Sequence, residues 1–262
     1  MKNIFTFLFL VLLIFSCTRV PVTNRKQLNL LPEDQLIGMS DSAYKAFLDT
    51  NIVLKDNDSR VVQVRRVGNR IKEKVEKYFA DHKMMDRLKG FAWEFNVVQD
   101  KTINAWCMPG GKVVVYTGIL GLCTDDTLLS VVMGHEISHA LARHGNERMS
   151  QQMALYGLGQ TLSVMMGTEA SKGSQIFLQA YGIASALGSL KYSRQHETEA
   201  DKLGLIFMYM AGYNPEKAIL FWEKMSAQSG ANVPEILSTH PSDETRIADI
   251  TAFLPEIKKY AE

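Results

Sequence analysis

The run His135-Glu136-Ile137-Ser138-His139 sets two imidazoles four residues apart with a carboxylate beside the first. It lies within a helical apolar pattern of Leu128, Leu129, Val131, Val132, Ile137 and Leu141, and on a helix residues four apart share a face. Both imidazoles can therefore reach one Zn²⁺ ion while Glu136 stands beside the open coordination position. Two histidines do not complete a catalytic zinc site, which takes three protein ligands and a water. The metzincin pattern would need glycine at 142 and histidine at 145, where the chain has Ala142 and Gly145. His144 falls one residue out of that register and is read as a supporting group. A better source of the third ligand is Arg194-Gln195-His196-Glu197-Thr198-Glu199-Ala200-Asp201, on a helix predicted to run to Met210. Glu197 and Asp201 share a face there, and Gly204 continues it, allowing close approach of the HExxH helix. Glu197 can then ligate while Asp201 accepts a hydrogen bond from a ligand imidazole, with His196 and Glu199 pointing elsewhere.

These residues need a scaffold, and the hydrophobic periodicity supplies one. Residues 33–49 and 59–82 carry apolar side chains at three- and four-residue spacings, with Val61, Val64, Val67, Ile71, Val75 and Phe79 in one stripe. Phe91 to Val98, Ile103 to Met108 and Lys112 to Thr117 read as strands, with Pro109-Gly110-Gly111 turning between the last two. From Thr127 the pattern is helical nearly to the end, broken at Gly145, around Gly167 to Gly173, at Gly212 to Pro215, and between Ser229 and Pro241. The fold class expected is mainly α with a small β-sheet (α+β). Residues 153–190 are rich in Ala, Gly, Leu and Met but carry Gln160, Thr161, Glu169, Lys172 and Gln175, which favours core or cleft-lining helices over a membrane span.

The chain has 262 residues, 46% hydrophobic and 22% charged, with 29 Lys plus Arg against 28 Asp plus Glu. That is the composition of a globular domain, without the basic excess on which nucleic-acid binding rests, so no nucleic-acid partner is expected. Lys2, the apolar run from Ile4 to Phe15, Ser16 and Cys17 resemble a lipoprotein signal peptide over residues 1–16. Lipidation of Cys17 would follow, with residues 17–31 as a tether and the catalytic domain over residues 32–262. Export to a bacterial cell envelope is then expected, anchored in the outer membrane and facing the periplasm. Cys107 and Cys123 would be the remaining cysteines, and whether they pair is open.

The motifs form an ordered series: Pro21-Val22-Thr23 to Leu30, Asn104-Ala105-Trp106 with Pro109-Gly110-Gly111, His135 to His139, Ser193-Arg194 with Glu197 to Asp201, and His240-Pro241 with Arg246. The series resembles the gluzincin zinc metallopeptidase family of the Ste-type CaaX prenyl protease, HtpX and BepA, and within it the soluble periplasmic lipoprotein branch. The resemblance implies a zincin-like domain with an HExxH helix and an ExxxD helix. One Zn²⁺ per chain would sit on His135, His139 and Glu197, selecting Glu197 over Glu199. Glu136 would be general base, Asp201 would orient a ligand, and His240 and Arg246 would be catalytic donors to the oxyanion. His240 would alternatively close the site as a fourth ligand at rest. Asn104, Ala105, Trp106, Cys107 and Met108 would bind substrate by pairing its main chain along a strand edge. Cys107 and Met108 stand where Ala and Leu are common in the family, which bears on fit more than on chemistry. The expected reaction is peptide hydrolysis on misfolded or unassembled envelope proteins. A chaperone or assembly factor holding unfolded clients in the same cleft is the alternative, and a purely structural zinc site is a third. No G-x-S-x-G elbow or catalytic-thiol signature offers a covalent route.

Overall fold

A computed structural model describes residues 17–156, 176–181, 192–228, 236–237, 240 and 245–261. Residues 1–16, expected as a signal peptide, lie outside them, as does most of the 153–190 stretch. No helix among the described residues is long and apolar enough to cross a membrane.

The described residues begin with a hairpin of β1 (Cys17–Arg19) and β2 (Lys26–Leu28), followed by α1 (Glu33–Thr50) and α2 (Ser59–Asp81). Every residue of the anticipated stripe on α2, from Val61 to Phe79, is buried. A second sheet follows, of β3 (Glu94–Val98), β4 (Ala105–Met108) and β5 (Lys112–Tyr116). Its order is β3-β5-β4, with β3 parallel and β4 antiparallel to β5, pairing Phe95 and Cys107 with Val113. The rest is helical: α3 (Asp126–Leu141), α4 (His144–Tyr156), α5 (Arg194–Met210), α6 (Lys217–Ala227) and α7 (Thr245–Phe253). Mainly α with small sheets is the class the periodicity implied.

The HExxH helix, α3, is the centre of the molecule. Its N-cap Asp125 accepts from Leu128 N, and every side chain from Leu128 to Leu141 is buried, as a helix apolar on all sides requires. It packs against α5, α2, α6 and β4. The α3–α5 crossing is made by glycines on both helices: a Cβ added at Gly204 would lie 2.9 Å from Gly134 C. That approach brings the two ligand-bearing helices backbone to backbone.

Two sequence expectations need correction. The break placed at Gly145 comes earlier, where Arg143 adopts φ 58° between α3 and α4. Gly145 is inside α4, and the Tyr181 ring fills the space where a Cβ would stand. The stretch 17–31, expected as a tether, is built into the fold. Val20 is buried, Cys17 pairs with Leu28, and Gln27 donates to Ala142 O at 2.8 Å. Its mixed polarity resembles a linker only because its polar side chains have buried partners elsewhere in the chain.

Candidate active site

Side-chain donors from α3, α5 and the segment before α7 converge on one point. His135 and His139 project from one face of α3, Glu197 comes from the first turn of α5, capped by Ser193, and His240 closes the group. One donor atom of each lies within 4.8 Å of the others, and all four residues are buried. His135 Nε2 is 3.0 Å from His139 Nε2, 3.3 Å from His240 Nδ1 and 3.5 Å from Glu197 Oε2. Glu197 Oε1 is 3.4 Å from His139 Nε2 and 3.1 Å from His240 Nδ1. Ligand atoms about 2.0–2.2 Å from a tetrahedral Zn²⁺ stand about 3.3–3.6 Å from one another, so spacing and donor chemistry both fit zinc.

Behind the ligands lies a shell that fixes them. Asp201 Oδ1 sits 2.9 Å from His135 Nδ1, which leaves Nε2 facing the convergence point. Arg246 donates to both Asp201 oxygens, at 2.8 and 2.7 Å, and from Nη1 to Glu197 Oε2 at 3.0 Å. Its guanidinium lies over the Trp222 ring, 3.3 Å from the centroid. Arg246 was expected as a donor to the oxyanion. In this structure its bonds go to Asp201 and Glu197, and Nη2 lies 3.2 Å from His135 Nδ1. His144, read as a supporting group, is 2.9 Å from His139 Nδ1 through its own Nδ1. Glu199 and His196 face away from the metal point, toward His144 and Glu147.

The electrostatics follow this packing. Burial pushes Glu136 above the usual carboxylate range, opposed by the charges of His240 and His135. Burial opposes ionisation of Glu197 too, but His240, Arg246 and the ligand histidines hold it well below that range. Burial disfavours charge on His135, yet Asp201 and Glu197 raise it to about 9, so metal binding must displace a proton there. Glu136 Oε1 is buried with no hydrogen-bond partner among the described residues and lies 3.7 Å from His240 Nε2. An acceptor left open beside the ligands is what a base awaiting a water proton requires.

β4 runs alongside α3 and is the outer strand of its sheet among the described residues. Ala105 and Cys107 join the core that contains α3, whereas Trp106 and Met108 pack on the other side, Trp106 edge-on to Phe47. Asn104 is buried and its side chain accepts from Ala105 N. All five residues are buried, main chain included. Cys107 and Cys123 are both free and buried. Tyr192, which sequence reasoning missed, stacks on His139 and His240 at centroid distances of 3.9 and 4.7 Å. It carries no metal-ligand chemistry that would single it out in a sequence.

The family model described as Peptidase family M48 matches residues 66–254. The mitochondrial metalloendopeptidase OMA1 of Schizosaccharomyces pombe is 33% identical over 241 residues, covering 90% of this chain and 66% of that protein. The human mitochondrial metalloendopeptidase OMA1 is 30% identical over 267 residues, covering 98% of this chain and 50% of its own. The beta-barrel assembly-enhancing protease of Escherichia coli K12 is 30% identical over 162 residues, 60% of this chain and 33% of its own. The chain thus spans about half to two thirds of the OMA1 proteins of fission yeast and human. The expected location, a lipid anchor in a bacterial outer membrane facing the periplasm, is corrected by this comparison. The relatives aligned along nearly the whole chain carry mitochondrial names.

Proposed function

The chain belongs to peptidase family M48, and from that premise we propose that it is a zinc-dependent endopeptidase acting on extended segments of unfolded or unassembled proteins. The observation that carries this reading is the open acceptor Glu136 Oε1 beside four convergent donors. His135, His139 and Glu197 hold the ion, and zinc when bound polarises the scissile carbonyl and acidifies water toward a pKa of ~7. Glu136 takes the proton of the attacking water and delivers it to the leaving amine. Burial and the charge of Glu136 push the Cys107 thiol well up, so no thiolate competes as nucleophile. Pairing of the substrate backbone along β4 would require its edge, buried in this structure, to be uncovered, and pairing through main-chain groups would make recognition tolerant of side chains.

His240 lies beside the other three donors, and with a metal bound four protein donors would make a closed centre with no place for a substrate carbonyl. The resting site is therefore latent, and His240 must withdraw before hydrolysis. Digestion of unfolded casein by the purified full chain tests both points. Cleavage is expected to stop on chelation and to return with added zinc; persistence after complete metal removal would reject the zinc peptidase. His240→Ala is expected to raise the rate, and a fall would show His240 to be required in turnover rather than inhibitory.

A further inference from the structure

His135 is backed directly by a carboxylate and His139 by a histidine that meets a carboxylate, and each of these carboxylates is held by an arginine. For His135 the pair is Asp201 and Arg246, already described. For His139 the chain is one residue longer and ends in the N-terminal hairpin. His139 Nδ1 meets His144 Nδ1 at 2.9 Å, and His144 Nε2 meets Glu199 Oε2 at 3.0 Å. Arg25 donates from Nε and Nη2 to the two Glu199 oxygens at 2.8 and 2.9 Å. The same guanidinium reaches Glu147 Oε1 and Oε2, both at 2.7 Å. Thr23 Oγ1 adds a bond to Glu199 Oε1 at 2.9 Å.

The proton positions in this chain are fixed by the metal. For His139 Nε2 to offer its lone pair, the proton of the neutral ring must sit on Nδ1. That N–H then donates to His144 Nδ1, which leaves His144 to donate through Nε2 to Glu199. Every group is fully used, and His144 is completely buried. Arg25 and Thr23 lie in the hairpin connection, and Arg25 is more than 110 positions from His139 in sequence.

We infer that Arg25 is a positioning residue for the zinc ligand His139, acting through Glu199 and His144, so that docking of the 17–28 hairpin sets the affinity of the metal centre. The inference rests on the zinc reading proposed above. A bidentate guanidinium fixes the carboxylate plane, the carboxylate fixes the His144 tautomer, and His144 fixes the His139 ring. Loss of the hairpin from this position would leave the His139 N–H without an oriented acceptor.

The test is zinc affinity, measured by chelator competition on the full chain, with every protein carrying Glu136→Gln so that none digests itself. Arg25→Ala is expected to weaken zinc binding by about 10-fold or more, the usual cost of losing an outer-shell partner. Arg25→Lys, which keeps the charge but not the fork, should lose part of that. The decisive comparison is a double-mutant cycle with His144→Ala. If Arg25 acts through His144, then Arg25→Ala costs nothing further once His144 is gone. Unchanged affinity in Arg25→Ala, or losses that multiply in the double variant, would overturn the inference. If Arg25→Ala fails to fold by circular dichroism of the metal-free protein, the cycle is read with Arg25→Lys. Failure of the parent protein to bind zinc would overturn the zinc reading itself, an outcome distinct from an unchanged Arg25 variant.

Discussion

Glu136→Gln is expected to lower kcat/KM for casein by about 10²- to 10⁴-fold, the range contributed by a general acid–base group, while the protein keeps one zinc per chain. The substitution preserves size and hydrogen-bonding capacity but removes the ability to carry a proton. Glu136 is not among the four convergent donors, so metal content should not follow activity. Its position is equally specific: it is on α3 next to His135, buried, with Oε1 making no hydrogen bond among the described residues and lying 3.7 Å from His240 Nε2. Burial also raises its pKa above the ordinary carboxylate range, with His240 and His135 limiting the shift, which improves the match between base and task. A protein that only held unfolded clients in the same cleft would keep its function in this variant. Steady-state casein hydrolysis with zinc measured on the same samples decides the matter, and activity within tenfold of wild type would remove Glu136 as the base.

The largest effect on stability is expected from Arg246→Ala. Arg246 is buried, stacks on Trp222, and is the guanidinium that binds both Glu197 and Asp201. Removing it strands two buried carboxylates, and breaking a buried ion pair by deleting one partner costs about 3–5 kcal/mol. At roughly 2–4 °C per kcal/mol for a chain of this size, the melting temperature should fall by about 6–20 °C. The loss should be greater in metal-free protein than in the zinc-loaded form, because the ion itself neutralises Glu197. Thermal unfolding of both forms would show this. An unchanged melting temperature would mean that Arg246 does not hold the ligands as described.

The parts of the molecule legible in sequence are those whose information is local. The stripe Val61 to Phe79 predicts α2 because one helix face meets one core. The spacing of His135 and His139 predicts their convergence because both ride on one turn of α3. Glu197 and Asp201 were legible for the same reason, on α5. Long-range partnerships were not. Arg25 resembles a charge in a linker until Glu147 and Glu199 are brought to it by the packing of α4 and α5. Arg246 looked like an oxyanion donor because its type suits that role, and only the geometry showed where its N–H groups point. Gly145 read as a helix break because glycine commonly ends helices, whereas here it makes room for the Tyr181 ring. The apolar face of β4 could not be assigned from alternation alone, since both of its sides are buried.

The most direct test of the metal centre is X-ray diffraction from zinc-loaded crystals, recorded on both sides of the zinc absorption edge. One anomalous peak is expected at about 2.0–2.2 Å from His135 Nε2, His139 Nε2 and a Glu197 carboxylate oxygen, with His240 as the fourth donor of the resting site. A peak at any other residues, or an active protein with no peak there, would contradict the centre described above.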